Sequence, residues 1–466
     1  MGGGLLQLVA YGAQDVYLTG NPQITFFKVA YRRHTNFALE AIEQTFNGNA
    51  NYGSRVTCQI SRNGDLIHRI YLQVTLPTQT SIAGNATDYN YYNYFGLRLL
   101  NYVEIEIGGQ KIDKHYAHWL YIWNELSLPR SKLHGYNQMV GAYGTANLGG
   151  TTLYIPLEFW FCRNIGLALP LIALQYHEVK ININFEAANN CLYTTSTTAP
   201  TLSKASLWVD YIYLDTDERR RFAQLSHEYL IEQLQFTGQE AITGNQSAKI
   251  KLNFNHPCKE LIWFVSNPLS SDSDKLNWCN FTTSRYALGD VGYKTASTVN
   301  YLGDTYDKLS SVLRHSDVDY SASSPHRKIN YMPCNPVKDC KLVLNGNDRF
   351  YQRSGKYFNL VQPFQHHNNV PNNAGINVYS FALKPEEHQP SGTLNMSRID
   401  TAILNVNFEA DAGNTTHNYD NGTLTGYTGS ATNSGYSAIS STIYVYAVNY
   451  NVLRILSGMG GLAYSN

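Results

Sequence analysis

The sequence has few charged residues and no excess of either sign. Asp, Glu, Lys and Arg make up only 15% of the 466 residues, and 35 basic side chains balance 35 acidic ones. Globular proteins usually carry about a quarter charged residues. Proteins that neutralise nucleic-acid phosphates usually show a basic excess or patch. The composition therefore argues against direct contact with nucleic acid and indicates a neutral surface suited to packing against other proteins.

Cysteine is scarce and irregularly placed. The seven cysteines lie at positions 58, 162, 191, 258, 279, 334 and 340, without a C-x-x-C pair. An odd number of scattered cysteines is unlike the disulfide framework of a secreted domain. We expect reduced thiols and folding in a cytosolic compartment.

Signals for secretion or membrane insertion are also lacking. The opening stretch MGGGLLQLVAYGAQDVYLTGNP has no basic region, and Gln7, Gln14 and Asp15 interrupt it before it could span a bilayer. A myristoylation signal would need Ser or Thr at position 6, where Leu6 stands. We expect residues 1–24 to form a short amphipathic arm that docks on a neighbour, and the glycine-containing carboxy end SGMGGLAYSN to form a flexible terminal arm.

Without a secretory signal, N-x-S/T sequons predict little, because a chain rich in Asn and Thr produces them by chance. Six sequons occur, two of them at Asn245 and Asn395. The other four are kept as candidate glycosylation sites, and they are Asn85, Asn280, Asn414 and Asn421.

Catalytic and nucleotide-binding motifs are absent: neither G-x-S-x-G nor G-x-x-x-x-G-K-[ST] nor G-x-G-x-x-G occurs. An alternative is an iron oxygenase, because His315–Ser316–Asp317 followed by His366 or His367 has the spacing of a site with two imidazoles and one carboxylate. The first of these histidines lies in a polar, loop-like stretch, and no Lys or Arg occurs from 368 to 383 to hold a cosubstrate carboxylate. We therefore favour solvated loop histidines.

His115 and His118 are three residues apart, but no third metal ligand accompanies them. A structural helix after a hairpin is the better interpretation. The sequence thus predicts no catalytic, cofactor-binding or metal-binding residue, and a protein that is not an enzyme.

Short strands dominate the sequence, and they repeat once. Most apolar runs are β-branched or aromatic and are bounded by Gly, Asn, Pro or Ser. Four pairs of segments are similar and occur in the same order: 39–48 with 229–238, 55–77 with 249–268, 104–116 with 341–353, and 207–215 with 442–450. The third pair has a Gly-Gly or Asn-Gly turn between two strands, a strong hairpin signal.

Two consecutive all-β sandwiches follow from this repeat. The charge-rich run DTDERRRFAQLSHE at 215–228 is the expected boundary. We predict an arm at 1–24, a first sandwich at 25–214, a linker at 215–227 and a second sandwich with a carboxy-terminal tail at 228–466.

The repeat also decides how His256–Pro257–Cys258–Lys259–Glu260 is interpreted. A histidine, a cysteine and a glutamate so close together could hold a metal. The alignment of the two copies, with one residue of slack, places Cys258 and Glu260 on a plain turn at Arg62–Asp65. We therefore expect them to be scaffold residues in a turn.

Five blocks, at 8–48, 166–181, 208–238, 381–400 and 449–466, closely resemble the major capsid proteins of nucleocytoplasmic large DNA viruses, especially those of chlorella viruses. The resemblance implies an all-β fold of two consecutive eight-stranded jelly rolls, with short helices in loops and an amino-terminal arm. It also implies trimers that form pseudo-hexagonal capsomers and tile an icosahedral shell over an internal membrane. No cofactor is implied, and assembly would occur in the host cytoplasm.

The resemblance also implies partners: neighbouring capsomers, minor capsid proteins and penton proteins, with the inner membrane reached only through minor proteins. The arm would lie on the inner face and contact minor capsid proteins, with Pro22, Phe26 and Phe27 anchoring the transition into the first strand near residue 24.

The apolar block GLALPLIALQYHEVKI at 166–181 has two interpretations. It is either a strand buried in its own sandwich or, in part, a contact with a neighbouring subunit. The candidate subunit contacts are Leu169, Pro170, Leu171 and Ile172.

The alternative function is a carbohydrate- or receptor-binding β-sandwich of a virion surface. The long loops at 78–93, 268–328 and 409–437 are rich in polar residues and Tyr, whose side chains can stack on sugars and hydrogen-bond to them.

Overall fold

The computed structural model describes residues 3–77, 89–142, 150–194, 201–242, 247–266, 278–279, 281, 335–408, 419–420, 423–424 and 441–464. The chain divides into a unit of residues 1–37 and a unit of residues 38–466. Each is described by itself below.

The amino-terminal unit contains two short helices, α1 (Gly3–Val9) and α2 (Val16–Thr19). The Asp15 carboxylate accepts the backbone N–H of Gly12 at 2.7 Å and holds the turn between them. Residues expected to enter a strand near position 24 do not do so, because the first strand begins at Phe37. A strand needs a neighbouring strand to satisfy its backbone groups, and in the described chain that pairing starts there.

The first half of the large unit contains eleven strands in the described residues. They are β1 (Phe37–Gln44), β2 (Arg55–Gln59), β3 (Leu66–Thr75), β4 (Tyr89–Tyr91), β5 (Leu100–Ile107), β6 (Gln110–Tyr116), β7 (Thr152–Pro156), β8 (Leu169–Pro170), β9 (Val179–Phe185), β10 (Leu192–Thr194) and β11 (Lys204–Leu214). We call this half the first roll.

The second half, the second roll, contains twelve strands in the described residues. They are β12 (His227–Ile242), β13 (Ala248–Lys251), β14 (Pro257–Ser266), β15 (Val337–Leu344), β16 (Asn347–Ser354), β17 (Asn377–Ser380), β18 (Leu394–Asn395), β19 (Ala402–Phe408), β20 (Tyr419–Asp420), β21 (Thr423–Leu424), β22 (Ser441–Leu456) and β23 (Met459–Leu462).

Helices occupy connections between the strands. In the described ranges of the large unit they are α3 (Phe95–Arg98), α4 (Ala117–Ser127), α5 (Arg130–Val140), α6 (Trp160–Arg163), α7 (Ala188–Cys191), α8 (Thr216–Gln224) and α9 (Gln362–His366), with 3-10 turns at Ile165–Leu167 and Met396–Arg398 and a π-helix at Tyr357–Val361. Among the described residues, no helix is both long and apolar enough to cross a membrane.

Both rolls have the same strand order, which confirms the internal repeat. The first roll has sheets β1-β11-β3-β7 and β2-β9-β5-β6, and the second has β12-β22-β14-β17 and β13-β19-β15-β16. Eight strands in two four-stranded antiparallel sheets make each half a jelly roll. The short strands β8 and β18 are equivalent too, since each pairs with the start of β3 or β14.

The hairpins predicted from the repeat are confirmed. β5 pairs with β6 around Gly108–Gly109, and β15 pairs with β16 around Asn345–Gly346. All four turn residues have positive φ, between 47° and 85°. Such a turn matches the right-handed twist of the paired strands and favours Gly and Asn. The two edge strands, β6 and β16, are therefore presented in the same way.

Two hydrophobic cores reflect the two rolls. The first lies between facing sheets that contribute Leu72, Val209 and Ile181, and the second buries Trp263 and Leu404. Each fully buried large apolar side chain contributes roughly 1.5–3 kcal/mol. The alternation of buried and exposed residues along β3 fits a sheet with one face in a core.

Two expectations about local structure are wrong. Cys258 and Glu260 lie inside β14, and the turn precedes them at His256, whose φ is 65°. The alignment of the two copies was shifted, because the residues that pair with the equivalent short strands β8 and β18 are Leu66–Ile67 and Pro257–Cys258. The carboxy end is not a free arm, because a turn at Ser457–Gly458 returns the chain into β23, which pairs with β22.

Candidate functional site

The two rolls meet along a contact that we call the inter-roll seam. Helix α4 follows β6 directly and carries aromatic side chains onto the second roll. The ring of Trp119 lies 5.8 Å from that of Tyr446, and Tyr116 lies 5.1 Å from Phe236. Aromatic side chains bury large apolar areas, so these contacts join the rolls by hydrophobic packing.

The seam leaves sheet β12-β22-β14-β17 buried on both faces. Residues 258–265 of β14 are all buried. Trp263 belongs to the core of the second roll, whereas Phe264 belongs to the core that includes the first roll. A strand buried on both faces reads as a continuous apolar run and does not alternate.

His118 packs in the same place and stays neutral. Its ring stacks on Trp278 at 4.5 Å and meets Phe264 edge-on at 5.5 Å. Burial lowers the pKa of His118 to about 4. The imidazole therefore acts as an aromatic core residue at neutral pH.

Polar contacts fix the register of β6 against β12. The Asp113 carboxylate accepts the backbone N–H of Leu234 at 3.0 Å and pairs with His115 at 2.8 Å. The Gln233 amide donates to the carbonyl of Ile112. Buried hydrogen bonds of this kind cost free energy when one partner is lost, so they specify one docking of the strands.

Ion pairs continue the seam on the other side of β12. Arg163 of the first roll pairs with Glu232 at 3.0 Å, and Lys259 pairs with the other oxygen of the same carboxylate at 2.6 Å. The Lys259 side chain is fully buried, and the guanidinium of Arg163 lies 3.9 Å over the Trp123 ring. One carboxylate thus holds two cations from different rolls.

A second buried group lies next to Lys259 on β14. Glu260 faces His367 at 3.1 Å, and the other ring nitrogen of His367 lies 2.8 Å from Glu386. Burial alone would lower the pKa of His367, but the two carboxylates outweigh it and raise the pKa to about 9. His367 is therefore charged at neutral pH, and its charge lowers the pKa of Glu260 despite the burial of that carboxyl.

The loop that begins at His367 docks back on the first roll. The backbone N–H of Asn369 donates to the carbonyl of Leu126 at 3.1 Å. The Arg130 guanidinium donates to the carbonyl of Val370 at 2.9 Å. The buried His367 group thus anchors the foot of a loop that clasps the end of α4.

The hairpin of β22 and β23 makes a third contact between the rolls. The His177 ring lies 2.8 Å from the carbonyl of Gly460, and Gln110 accepts the backbone N–H of Leu462 at 3.2 Å. Gly460 and Gly461 allow this close approach because they carry no side chain.

The structure separates the histidines that the sequence placed together. The expected helix after the hairpin is present as α4 and contains His118, whereas His115 lies before it in strand β6. His315 and Asp317 lie outside the described residues. Of their proposed partners, His366 bonds to the carbonyl of Leu383 at 2.9 Å, and His367 is in the ion pair described above. Within the described ranges, no group of three or more His, Cys, Asp or Glu side chains could hold a metal ion.

The cysteines that the structure describes, all except Cys334, are free and buried. Burial raises the pKa of Cys58 to about 11 and that of Cys279 to about 12. These thiols are protonated at neutral pH, which fits the expected reduced state.

The candidate contact residues fall into two groups. Phe26 and Phe27 of the arm are 88% and 97% exposed, and Pro22 is exposed as well. In contrast, Leu169 and Leu171 are buried in the core of the first roll.

Pro170 is also buried, and Ile172 is half-buried. Of the four candidate subunit contacts, only Ile172 therefore presents surface. The candidate glycosylation sites Asn85, Asn280, Asn414 and Asn421 lie outside the described residues, as do most residues of the loops that motivated the sugar-binding alternative.

Sequence reasoning missed the charges of the seam. A signal existed, because Lys259 and Glu260 interrupt an otherwise apolar strand. Charged residues are rarely buried unless they are paired. Their partners Arg163 and His367 come from distant segments, so no local pattern could have named them.

Two family models match the chain. The model described as "Large eukaryotic DNA virus major capsid protein" matches residues 218–461, and the model described as "Major capsid protein N-terminus" matches residues 25–215.

Curated relatives match along their whole length. The chain is 50% identical over 495 residues to the major capsid protein of Pyramimonas orientalis virus. It is 47% identical over 552 residues to that of Phaeocystis pouchetii virus, and 44% identical over 483 residues to that of Paramecium bursaria Chlorella virus 1. Each of these alignments covers 100% of both chains.

Solved structures agree. The capsid protein VP54 of PBCV-1 has a TM-score of 0.74 at 39% identity, with 95% of this chain and 100% of that chain covered. A quasi-atomic model of the PBCV-1 virus capsid gives 0.72, with the same identity and coverage. The Faustovirus major capsid protein, at 13% identity, a TM-score of 0.65 and coverage of 96% and 94%, supports the fold alone.

The first prediction concerns Glu232. Replacing it with Gln should lower the free energy of unfolding by about 3–5 kcal/mol, because the fully buried Lys259 and the half-buried Arg163 would lose their shared carboxylate. Chemical denaturation followed by circular dichroism measures this. The matched control is Glu228→Gln on the same strand, whose pair with Arg454 is exposed, and it should cost less than about 1 kcal/mol. Equal effects of the two substitutions would contradict a special role for the seam pair.

The second prediction concerns pH. The folded-state pKa of His367, about 9, lies above its usual 6.5. Its stabilisation is therefore fully present below pH 6.5 and is lost as the pH rises through 9. We expect wild-type protein to lose roughly 2–3 kcal/mol more than His367→Gln over this window.

Free energies of unfolding at several pH values across this window test the effect. His366→Gln is the control, since its half-buried ring bonds to a backbone carbonyl and should leave the wild-type pH dependence unchanged. A His367→Gln protein with the same pH dependence as wild type would refute the assignment.

Proposed function

Because the chain belongs to the family of large eukaryotic DNA virus major capsid proteins, we propose that three copies assemble into a pseudo-hexagonal capsomer that tiles an icosahedral shell. The family members are structural proteins and not enzymes, and this chain is a structural component of the virion capsid. What we propose beyond this is the trimeric capsomer.

One observation carries this proposal. Each chain contains two rolls of the same strand order, and a buried aromatic and ionic seam joins them. A ring of three such chains would present six similar rolls and a nearly six-fold outline. Such an outline fills a flat facet, and zero net charge limits repulsion among many adjacent copies.

The arm supports a role in contacting other capsid components. Between Leu5 and Tyr31 the amino-terminal unit, which includes the arm, exposes thirteen large apolar side chains. An exposed apolar surface of this kind favours a protein partner. We propose that the arm, through Pro22, Phe26 and Phe27, contacts minor capsid proteins on the inner face. Penton proteins are further partners of the capsomers, and the inner membrane is reached only through minor proteins. Assembly would take place in the host cytoplasm.

The third prediction is the mass of the recombinant protein in solution. Light scattering behind a sizing column should give 157.5 kDa, three times the 52.5 kDa of one chain, and the value should persist on dilution. The physical reason is that each junction between copies must bury an area comparable to a stable protein interface, about 1,600 Å². A stable monomer would contradict the proposal.

The fourth prediction tests the arm. A Phe26→Ser, Phe27→Ser double variant should still form trimers, but virions that carry it should contain several-fold less minor capsid protein by mass spectrometry. Removing two of the most exposed rings of the arm removes apolar contact area. Tyr176→Ser, at a 75% exposed aromatic position of the first roll, is the control. Unchanged minor-protein content in the double variant would contradict the assignment of the arm.

A further inference from the structure

The seam inside the chain has two sides, and each side has an equivalent in the other roll. On one side, β6 and the helix that follows it, α4, lie against the second roll. On the other side, the outer face of sheet β12-β22-β14-β17 receives them, with Tyr446 against Trp119. By the internal repeat, β16 and the helix that follows it are equivalent to the first side. Sheet β1-β11-β3-β7 is equivalent to the second.

In the part of the chain that the structure describes, nothing covers the outer face of the equivalent sheet of the first roll. Tyr71 and Trp208 are paired in register and point away from the core, as do Gln73 and Tyr154. These side chains are half-buried or exposed, and Tyr154 is 42% exposed. The corresponding face of the second roll contains Phe264 and is buried. The difference follows from the cover that only the second roll receives within one chain.

The edge strands show the same difference. In β12 the segment Ile231–Gln233 is buried, whereas in β1 the residues before Ile42 are exposed. Gln44 of β1 and Gln235 of β12 are equivalent positions. The Gln44 side chain accepts the backbone N–H of Ser61, just after β2, and the Gln235 side chain accepts that of Asn255, just after β13.

The second roll carries a counterpart of α4 that no described residue covers. The chain leaves β16 and enters the π-helix and α9, as it leaves β6 and enters α4. Where α4 has its aromatic rings buried in the seam, this segment exposes Leu360, Val361 and Phe364, the last by 79%. Leu383, 70% exposed, lies beside them because its carbonyl bonds to His366.

We propose that the apolar surface Leu360, Val361, Phe364 and Leu383 of one copy docks on the outer face of sheet β1-β11-β3-β7 of a second copy, and so repeats between chains the seam found within each chain. The two surfaces differ, so the contact is head-to-tail, and a head-to-tail contact that closes on itself makes a ring. The inference rests on the proposed trimer and names the surface through which it forms.

A second copy is the occupant because the apolar surface and the sheet face that would receive it are both present on the same chain, and neither has a partner among the described residues. The in-chain seam shows that this pairing of elements forms a stable contact. An edge strand and an aromatic sheet face left open also favour association.

The test begins with wild-type protein and three single substitutions, Tyr154→Glu, Phe364→Glu and Tyr176→Glu, measured by light scattering over a dilution series. The first places a charge on the outer face of sheet β1-β11-β3-β7, and the second places one on the apolar surface that docks there. Each should weaken association at least about 30-fold. The third is the control, because Tyr176 is exposed but lies outside both surfaces. Thermal unfolding of each variant, within a few degrees of wild type, shows that it is folded.

A second measurement identifies the neighbours directly. Chains that carry only Tyr154→Cys are mixed with chains that carry only Phe364→Cys, allowed to exchange subunits, and treated with a short bismaleimide. Cross-linked dimers should form in the mixture and not in either protein alone or in wild type, whose described cysteines are buried.

Each outcome has a distinct meaning. If wild type is a trimer, loss of the trimer in the first two variants together with the mixed cross-link supports the interface. If wild type is a trimer while both variants also remain trimers and no mixed cross-link forms, this interface is wrong and the proposed capsomer stands. A wild-type monomer at all concentrations would overturn the trimer and this interface with it.

Discussion

The rest of the structure depends on one sheet whose two faces are both apolar, so that both must be covered. Sheet β12-β22-β14-β17 has apolar side chains on both faces, with Trp263 on one and Phe264 on the other. The second roll covers one face with its own second sheet, and the first roll covers the other with β6 and α4. A jelly roll with one bare aromatic face would be a large exposed apolar patch. The two rolls of the large unit are therefore held as one body.

The polar groups in the seam serve specificity more than stability. Buried ion pairs lose much of their Coulombic gain to desolvation, so an apolar replacement can be equally stable. Glu232 provides one carboxylate that pairs with two cations from different rolls. If the rolls docked in a shifted register, these charges would be left unpaired. The charged His367 likewise pairs with two carboxylates, those of Glu260 and Glu386, at the start of the loop that contacts the end of α4. This explains how nearly neutral, aromatic surfaces, which could slide on one another, are held in a single register.

Duplication and fusion together have a consequence for assembly. When two equivalent rolls are joined by one seam, one covering segment and one sheet face are left without partners among the described residues of each chain. The proposed contact pairs this segment with this face, because the seam pairs the equivalent elements inside the chain. Part of the chain's tyrosine content serves contacts within the chain, since Tyr116, Tyr444 and Tyr446 pack at the seam. The amino-terminal unit, with its exposed aromatic side chains, adds a separate apolar surface.

The sequence by itself determined the features that depend on short-range patterns. Turn chemistry predicted the hairpins around Gly108–Gly109 and Asn345–Gly346, and repeated segments predicted two sandwiches of one topology. The resemblance of five blocks named the family. Tertiary structure decided where β1 begins, that Glu260 lies in a buried strand, that the carboxy end folds back as β23, and that Leu169 and Leu171 belong to a core. It also decided which apolar strand is covered by its own roll, by the other roll or by neither. The physical reason is that burial and ion pairing are set by segments far apart in the chain, such as Arg163 with Glu232, whereas turns and alternation are set by neighbours.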